Sequence, residues 1–297
     1  MKSTWLAVFV VAGIVFLPLT QTNSDERDKA PTPAADAMLG KEPGQVRDDN
    51  DLKMKLVWCP PGKFTMGSPK SEKGRVNDED QVDVTLTTGF WLGKYEVTQD
   101  QWKQVVKIEP WKGQKLTEEG ADFPATCVSW DDATDFCRKL TELERQAGRL
   151  PDEWEYTLPT EAQWEYACRA RSVTRFSFGD DDSKLGDYAW FGENAFNAGE
   201  KYAHRVGQKK ANPWGLHDVH GNVSEWCRDV YAEKLPGGRD PEVKSDEKTK
   251  GSFRVYRGGC WLLDAADCRS GDRRRSLPGI RNYVGFRPAL SSVQPVK

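Results

Sequence analysis

The first clear alternation along the chain, Leu52-Lys53-Met54-Lys55-Leu56-Val57-Trp58, predicts a β-strand with one face buried. Pro60-Pro61-Gly62 reads as a turn into a second strand, Lys63-Phe64-Thr65-Met66-Gly67. Val82–Leu86 and Phe90–Val97 follow as further strands, joined through Thr87-Thr88-Gly89. Three helices carry start signals. Thr98 with Gln101 forms a capping box before Trp102 and Val105-Val106. Ser129 caps a helix over 130–147, with Trp130, Ala133, Phe136, Cys137 and Leu140 on one stripe and Gly148 as its stop. Thr160 with Gln163 makes a second capping box that turns Trp164, Ala167 and Cys168 inward. After residue 170 regular periodicity fades into turns, glycines and isolated aromatics, and Pro236–Ser252 reads as a polar surface excursion. No internal repeat is visible. The succession predicts an α+β domain with an early antiparallel sheet, few short helices and a loop-rich C-terminal half.

The ends of the chain have a different character. Lys2 precedes an apolar run from Trp5 to Leu19, ~15 residues long, short for a bilayer span and suited to a signal-peptide core. Residues 1–22 therefore read as a signal peptide or an N-terminal anchor. The body is expected to be exported, to the periplasm or outside the cell, and to meet a membrane only through residues 5–19. Residues 23–51, rich in Asp, Glu, Lys, Pro and Ala, read as a flexible linker, because such a composition buries too little apolar surface to order itself. The globular domain is expected over 52–291, with a tail at 292–297.

Composition narrows the classes. A net charge of −3 speaks against a nucleic-acid partner. Twelve tryptophans in a chain of 37% hydrophobic content point to a core of large rings held among loops. Seven cysteines (Cys59, Cys127, Cys137, Cys168, Cys227, Cys260 and Cys268) are an odd number, so at least one is free, bound to metal or paired with another molecule. No Ser-His-Asp set, phosphate-cradling glycine loop or kinase signature is present.

Three stretches carry the chemistry: Gly258-Gly259-Cys260-Trp261 with Cys268-Arg269-Ser270 and Val284-Gly285-Phe286-Arg287; Gly221-Asn222-Val223-Ser224-Glu225-Trp226; and Leu158-Pro159-Thr160-Glu161-Ala162-Gln163-Trp164-Glu165-Tyr166. Together they resemble the formylglycine-generating enzyme, or sulfatase-modifying factor, family over about residues 52–291. The resemblance implies a formylglycine-generating-enzyme-like fold related to C-type lectins, and oxidation of a sulfatase cysteine to formylglycine by a copper(I) dithiolate. On that pattern Cys260 stands where the family has serine, Leu263 stands at the first reactive cysteine, and Cys268 matches the second. Leucine cannot ligate copper. Cys268 would be the essential thiol and Cys260 its only substitute partner; a disulfide from Cys268 to Cys260 or Cys227 is the plainer alternative. Cys168 matches a family scaffold cysteine, whose partner position is Pro288 here.

The same resemblance places a structural calcium at Asp218, Gly221, Val223 and Glu225, a mix of carboxylates and backbone carbonyls on a tight turn. A second family calcium site is not expected, since Trp190 replaces its asparagine. His204, His217 and His220 lack a third metal ligand and read as surface or packing residues. Arg269, Arg273, Arg274, Arg275, Arg281 and Arg287 read as internal fasteners, stacked on indoles and paired with Asp264, Asp267 and Asp272, rather than as an anion site. Arg287 is expected to be structural, and Asp131-Asp132 and Glu153/Glu155 to be helix-end and surface charges. Two functions follow from different classes: an exported oxidase acting on a sulfatase polypeptide, or a non-catalytic, calcium-stabilised module binding a peptide, glycan or protein. A third reading is an enzyme of the same superfamily with other chemistry.

Overall fold

The computed structural model describes Met1 and residues 34–246, 249, 251–280 and 283–293. The apolar run at 5–19, the first part of the predicted linker, Arg281 and the last four residues lie outside the described residues. No described helix is long and apolar enough to cross a membrane.

Three sheets organise the domain. The largest has strand order β1 (Val46–Arg47), β2 (Leu56–Cys59), β5 (Phe90–Gly93), β12 (Ala289–Ser292), β6 (Trp154–Thr157). A second joins β3 (Gly62–Met66), β4 (Val82–Leu86) and β8 (Gly238–Arg239). The third orders β10 (Arg274–Ser276), β9 (Arg254–Arg257), β7 (Ser224–Val230) and β11 (Val284–Gly285). Pairing is antiparallel except for β4 with β8 and β7 with β11. The predicted first strand is shorter than its alternation suggests: Leu56–Cys59 is buried on both faces, between two core clusters.

The helices start where their caps predict. In α1 (Gln99–Val105) and α3 (Glu161–Arg169) the Thr98/Gln101 and Thr160/Gln163 capping boxes are both closed. In α2 (Trp130–Gln146) Ser129 and Asp132 close the box, so Asp132 is a capping residue and not merely a helix-end charge. Ala133, Phe136, Cys137 and Leu140 face the core as predicted, while Trp130 sits at its edge with Arg254 over the ring at 3.8 Å. Phe136 stacks on Trp102 (5.5 Å, 9° between planes) and meets Phe286 edge-on. Trp102, Trp111, Trp154, Trp164, Trp226 and Trp261 are all fully buried, which explains how so few regular elements enclose a core. A further short helix, α4 (Leu185–Tyr188), went unsignalled.

The flexible-linker expectation is corrected for residues 35–51. Ala35–Met38 forms a 3₁₀ turn, β1 pairs with β2, and Met38 is buried. Indole N–H groups hold the backbone in place: Trp91 Nε1 donates to Met38 O at 2.7 Å and Trp154 Nε1 to Ala35 O at 3.2 Å. A polar segment is ordered here by donors from the core, which its own composition does not reveal.

Candidate functional site

Helix α3 is buried all round although it carries Glu161, Glu165 and Arg169. Those charges are compensated by the C-terminal arginines. Arg257 reaches Glu161 and Glu165, each at 2.6 Å, and donates to Ser270 O at 2.6 Å. Arg273 grips Glu161 with two bonds of 2.6 and 2.8 Å. Arg269 binds Glu72 at 2.7 Å and Glu79 through two bonds of 2.8 Å. Arg274 pairs with Asp267 and Asp272, and Arg275 lies over Tyr231 at 4.3 Å. The arginine cluster is thus an internal fastening, as expected, but its main partners are glutamates from distant segments. Among the described residues, the arginines of this cluster pair with Asp267 and Asp272 rather than with Asp264.

This frame holds the thiol turn. Gly258 (φ +96°) and Gly259 (φ +69°) are both left-handed. A Cβ on Gly259 would sit 2.5 Å from Cys268 Sγ and 2.9 Å from Asp267 O, so only glycine lets the two backbones pass. Gly259→Ala is expected to destabilise the domain by about 2–4 kcal/mol, from left-handed strain plus overpacking, read as a lower urea midpoint. His220 fixes the other side. Its Nδ1–H donates to Cys268 O at 2.9 Å, and its Nε2 accepts from Ser177 N at 3.0 Å. Burial pushes His220 down to about 4, so it stays neutral, in the packing role expected of it.

All seven cysteines are unbridged and buried, which corrects the disulfide expectation. Cys227 faces the cluster around Val57 and Trp164, whereas Cys268 lies among Phe176, Leu185, Ala189 and Phe191, and Cys260 beside Ala195, Val223 and Trp261. The Cys268 sulfur packs against the backbone of Gly259, the residue before Cys260, so the two thiols lie on adjoining parts of one turn. Burial raises the Cys268 thiol well above its usual range, with Cys260, Asp272 and Asp267 adding to it. Burial also pushes Cys260 up to about 11, against hydrogen bonds from the Leu262 and Leu263 N–H groups. Cys268 is 0% exposed. Two thiols kept protonated in apolar surroundings, with Leu263 at the remaining position, do not fit a two-thiolate copper(I) centre.

The loop at 215–226 forms a second centre. Asp218 (φ +61°) and Asn222 (φ +63°) are left-handed, which sharpens the turn. Glu225, expected as a calcium ligand, has both oxygens engaged: Arg287 Nε and Nη2 each donate at 2.7 Å, and Trp164 Nε1 at 2.8 Å. Arg287 also donates to Gly93 O and His217 O, each at 2.8 Å, and is structural as expected. Two further carboxylates face it. Asp218 accepts from Gly207 N through Oδ2 (2.7 Å), but its Oδ1 is buried without a partner. Glu96, which the sequence did not single out, accepts from Asn222 Nδ2 at 3.0 Å while its Oε2 is buried without a partner. Burial, then the neighbouring Asp218 charge, raises Glu96 well above the usual range; burial lifts Asp218 to about 6. One guanidinium therefore faces three carboxylates, and the two unpartnered oxygens call for a proton or a cation. A hard, oxygen-seeking ion fits them, with Asp218 and Glu96 as its carboxylates and the Gly221 and Val223 carbonyls as the positions the motif supplies. No set of three or more His, Cys, Asp or Glu side chains converges as a metal cluster among the described residues.

Trp190, at the second family calcium position, is sandwiched between His204 (3.7 Å, 8° between planes) and the Lys209 ammonium at 3.9 Å. A narrow crevice of mixed character, about 10 Å³, runs beside Trp261, with Leu116, Phe123 and Tyr283 on its apolar side and Gln99, Glu118 and Thr126 on its polar side. Leu116 and, next to the Trp261 ring, Phe196 are exposed at 42% and 37%.

Sheets, helix caps and this pair of centres define a loop-rich α+β domain of the formylglycine-generating-enzyme-like class. The family model described as "Sulfatase-modifying factor enzyme 1-like domain" matches residues 43–292, and the chain belongs to that family. It is 32% identical over 318 aligned positions to the formylglycine-generating enzyme of Streptomyces coelicolor, covering 88% of this chain and 95% of that protein. It is 27% identical to the serine/threonine-protein kinase pkn1 of Chlamydia caviae, over 80% of this chain but 38% of that protein. The solved structure of PvdO from Pseudomonas aeruginosa superposes with a TM-score of 0.73 at 26% identity, covering 84% of this chain and 99% of that one. These relatives share the scaffold under names that differ in activity, so the site must decide the function.

Proposed function

We propose that the domain is an exported, non-catalytic binding module built on the sulfatase-modifying scaffold, and that it does not oxidise a sulfatase cysteine. The observation that carries this reading is the Cys268 sulfur, 0% exposed and held as a thiol by apolar neighbours, with Leu263 in place of the second reactive cysteine. A copper(I) oxidase needs two accessible thiolates; this chain offers one buried thiol and a buried substitute, Cys260. The apolar run after Lys2 supports export. Calcium is proposed as a structural cation on Asp218 and Glu96.

Incubating the purified domain with copper(I), dioxygen and a cysteine-containing sulfatase peptide tests the reading. No aldehyde is expected by mass spectrometry from the wild type, and none from Leu263→Cys, in which the added thiol leaves the Cys268 sulfur buried. Aldehyde from the wild type, lost in Cys268→Ser, would overturn the binding-module reading in favour of the oxidase.

A further inference from the structure

A cleft lies between β3 and the turn that follows α3, away from both the thiol turn and the carboxylate–Arg287 centre. It encloses about 350 Å³ and is lined by Pro61–Thr65, Tyr166, Arg169 and Arg171–Val173. No carboxylate lines it, and three cations do. Arg169 is spent internally, on Glu165 at 2.8 Å and on the carbonyls of Gly67 and Thr174. The Ser172 hydroxyl is engaged with Thr174 and Phe176 O. Lys63 and Arg171 have no acidic partner among the described residues, and both are exposed.

The polar floor is Tyr166. Its residue is only 5% exposed, and its hydroxyl has no hydrogen-bond partner among the described residues. The ring is locked by Phe64 (5.2 Å) and, edge-on, by Trp214 (5.0 Å). Gly62 leaves the space the hydroxyl uses, since a Cβ there would lie 2.3 Å from Tyr166 Oη. Arg171 is brought to the cleft by two consecutive left-handed residues without a glycine, Ala170 (φ +45°) and Arg171 itself (φ +76°). Such a conformation costs about 1–2 kcal/mol per residue and persists only where the surroundings enforce it. It carries the chain from the end of α3 so that Arg171 borders the cleft beside an apolar rim of Pro61, Phe64 and the 85%-exposed Val173.

We propose that this cleft binds a carboxylate carried on an apolar body, the acid paired with Arg171 and hydrogen-bonded by Tyr166 Oη, the body lying on Phe64, Pro61 and Val173. A guanidinium fork matches a carboxylate, a buried phenol adds one directed donor, and Lys63 adds long-range attraction. The chemistry is shared by a free aromatic acid and by the C-terminus of a peptide ending in an apolar residue.

Calorimetric titration of the whole protein with benzoate and with its neutral counterpart benzamide tests the site. Benzoate is expected to bind and benzamide not to. Arg171→Gln should weaken benzoate about 10-fold or more and Tyr166→Phe about 3-fold or more. Both variants should keep the wild-type Tm, because Arg171 is exposed and the phenylalanine retains the ring contacts. A Phe-terminated peptide acid that binds more tightly than benzoate, and than its own amide, identifies a chain terminus as the ligand; equal binding of peptide acid and benzoate identifies the free acid. No benzoate binding, equal binding of benzamide, or full binding by folded Arg171→Gln overturns the proposal. None of these readouts depends on the thiol turn or on aldehyde formation, so the site and the function proposed above fail separately.

Discussion

Arg287→Met is expected to destabilise the domain by about 5 kcal/mol or more, enough to leave most of it unfolded at room temperature. Arg287 is 0% exposed and is the cation that faces Glu225, Asp218 and Glu96 together. Removing it strands the Glu225 carboxylate, whose two 2.7 Å bonds vanish, and leaves Gly93 O and His217 O without the donors that reach them at 2.8 Å. Breaking a buried pair from one side costs about 3–5 kcal/mol, and each orphaned carbonyl adds about 1–3 kcal/mol. Replacing both partners is gentler, because no charge is left behind. Arg287→Met with Glu225→Gln should therefore be more stable than Arg287→Met alone, despite carrying one more change. Urea denaturation followed by circular dichroism reads both. If the single variant falls within about 1 kcal/mol of wild type, the guanidinium is not what closes the sheet onto the 215–226 loop.

The parts of this molecule that could be read from its sequence are those settled between near neighbours. The capping boxes at Thr98/Gln101 and Thr160/Gln163 join residues three apart, and both close as predicted. Strand Val82–Leu86 alternates in sequence and in burial. The motif resemblance reached the fold class because the Gly258-Gly259 turn and the Gly221–Trp226 loop are local shapes with fixed residue demands. What could not be read rests on partners far along the chain. Arg269 meets Glu79 across 190 residues, and Arg287 meets Glu225 across 62. No spacing rule connects them, so the arginines were assigned nearby aspartates. The strands after residue 170 escaped notice for a related reason: β7 and β9 carry Glu225, Asp229, Arg254 and Arg257 inward, and buried charge erases the alternation that marks a strand. Glu96 was hidden within a run of aromatic and aliphatic residues, where a lone acid at a buried position was the one signal available.

Calcium at a concentration well above its dissociation constant is expected to raise the Tm of chelator-treated protein by about 5–10 °C, as ligand at about 100 times Kd contributes roughly 2.7 kcal/mol. The motif alone assigns the carboxylates of this site to Asp218 and Glu225. The packing points elsewhere, because Glu225 already serves Arg287 and Trp164 while the free buried oxygens are Asp218 Oδ1 and Glu96 Oε2. Glu96→Gln and Asp218→Asn should therefore lose most of the calcium-induced shift. Asparagine tolerates the left-handed backbone at position 218, so that variant tests the charge and not the turn. Glu225→Gln should lower the Tm with and without calcium, through the weakened Arg287 pair, yet keep the shift between the two conditions. A shift that survives in Glu96→Gln and disappears in Glu225→Gln would return the ligand role to Glu225 and require Arg287 to swing away when the ion binds. No shift in the wild type would leave a shared proton between Glu96 and Asp218 as what compensates their buried charge.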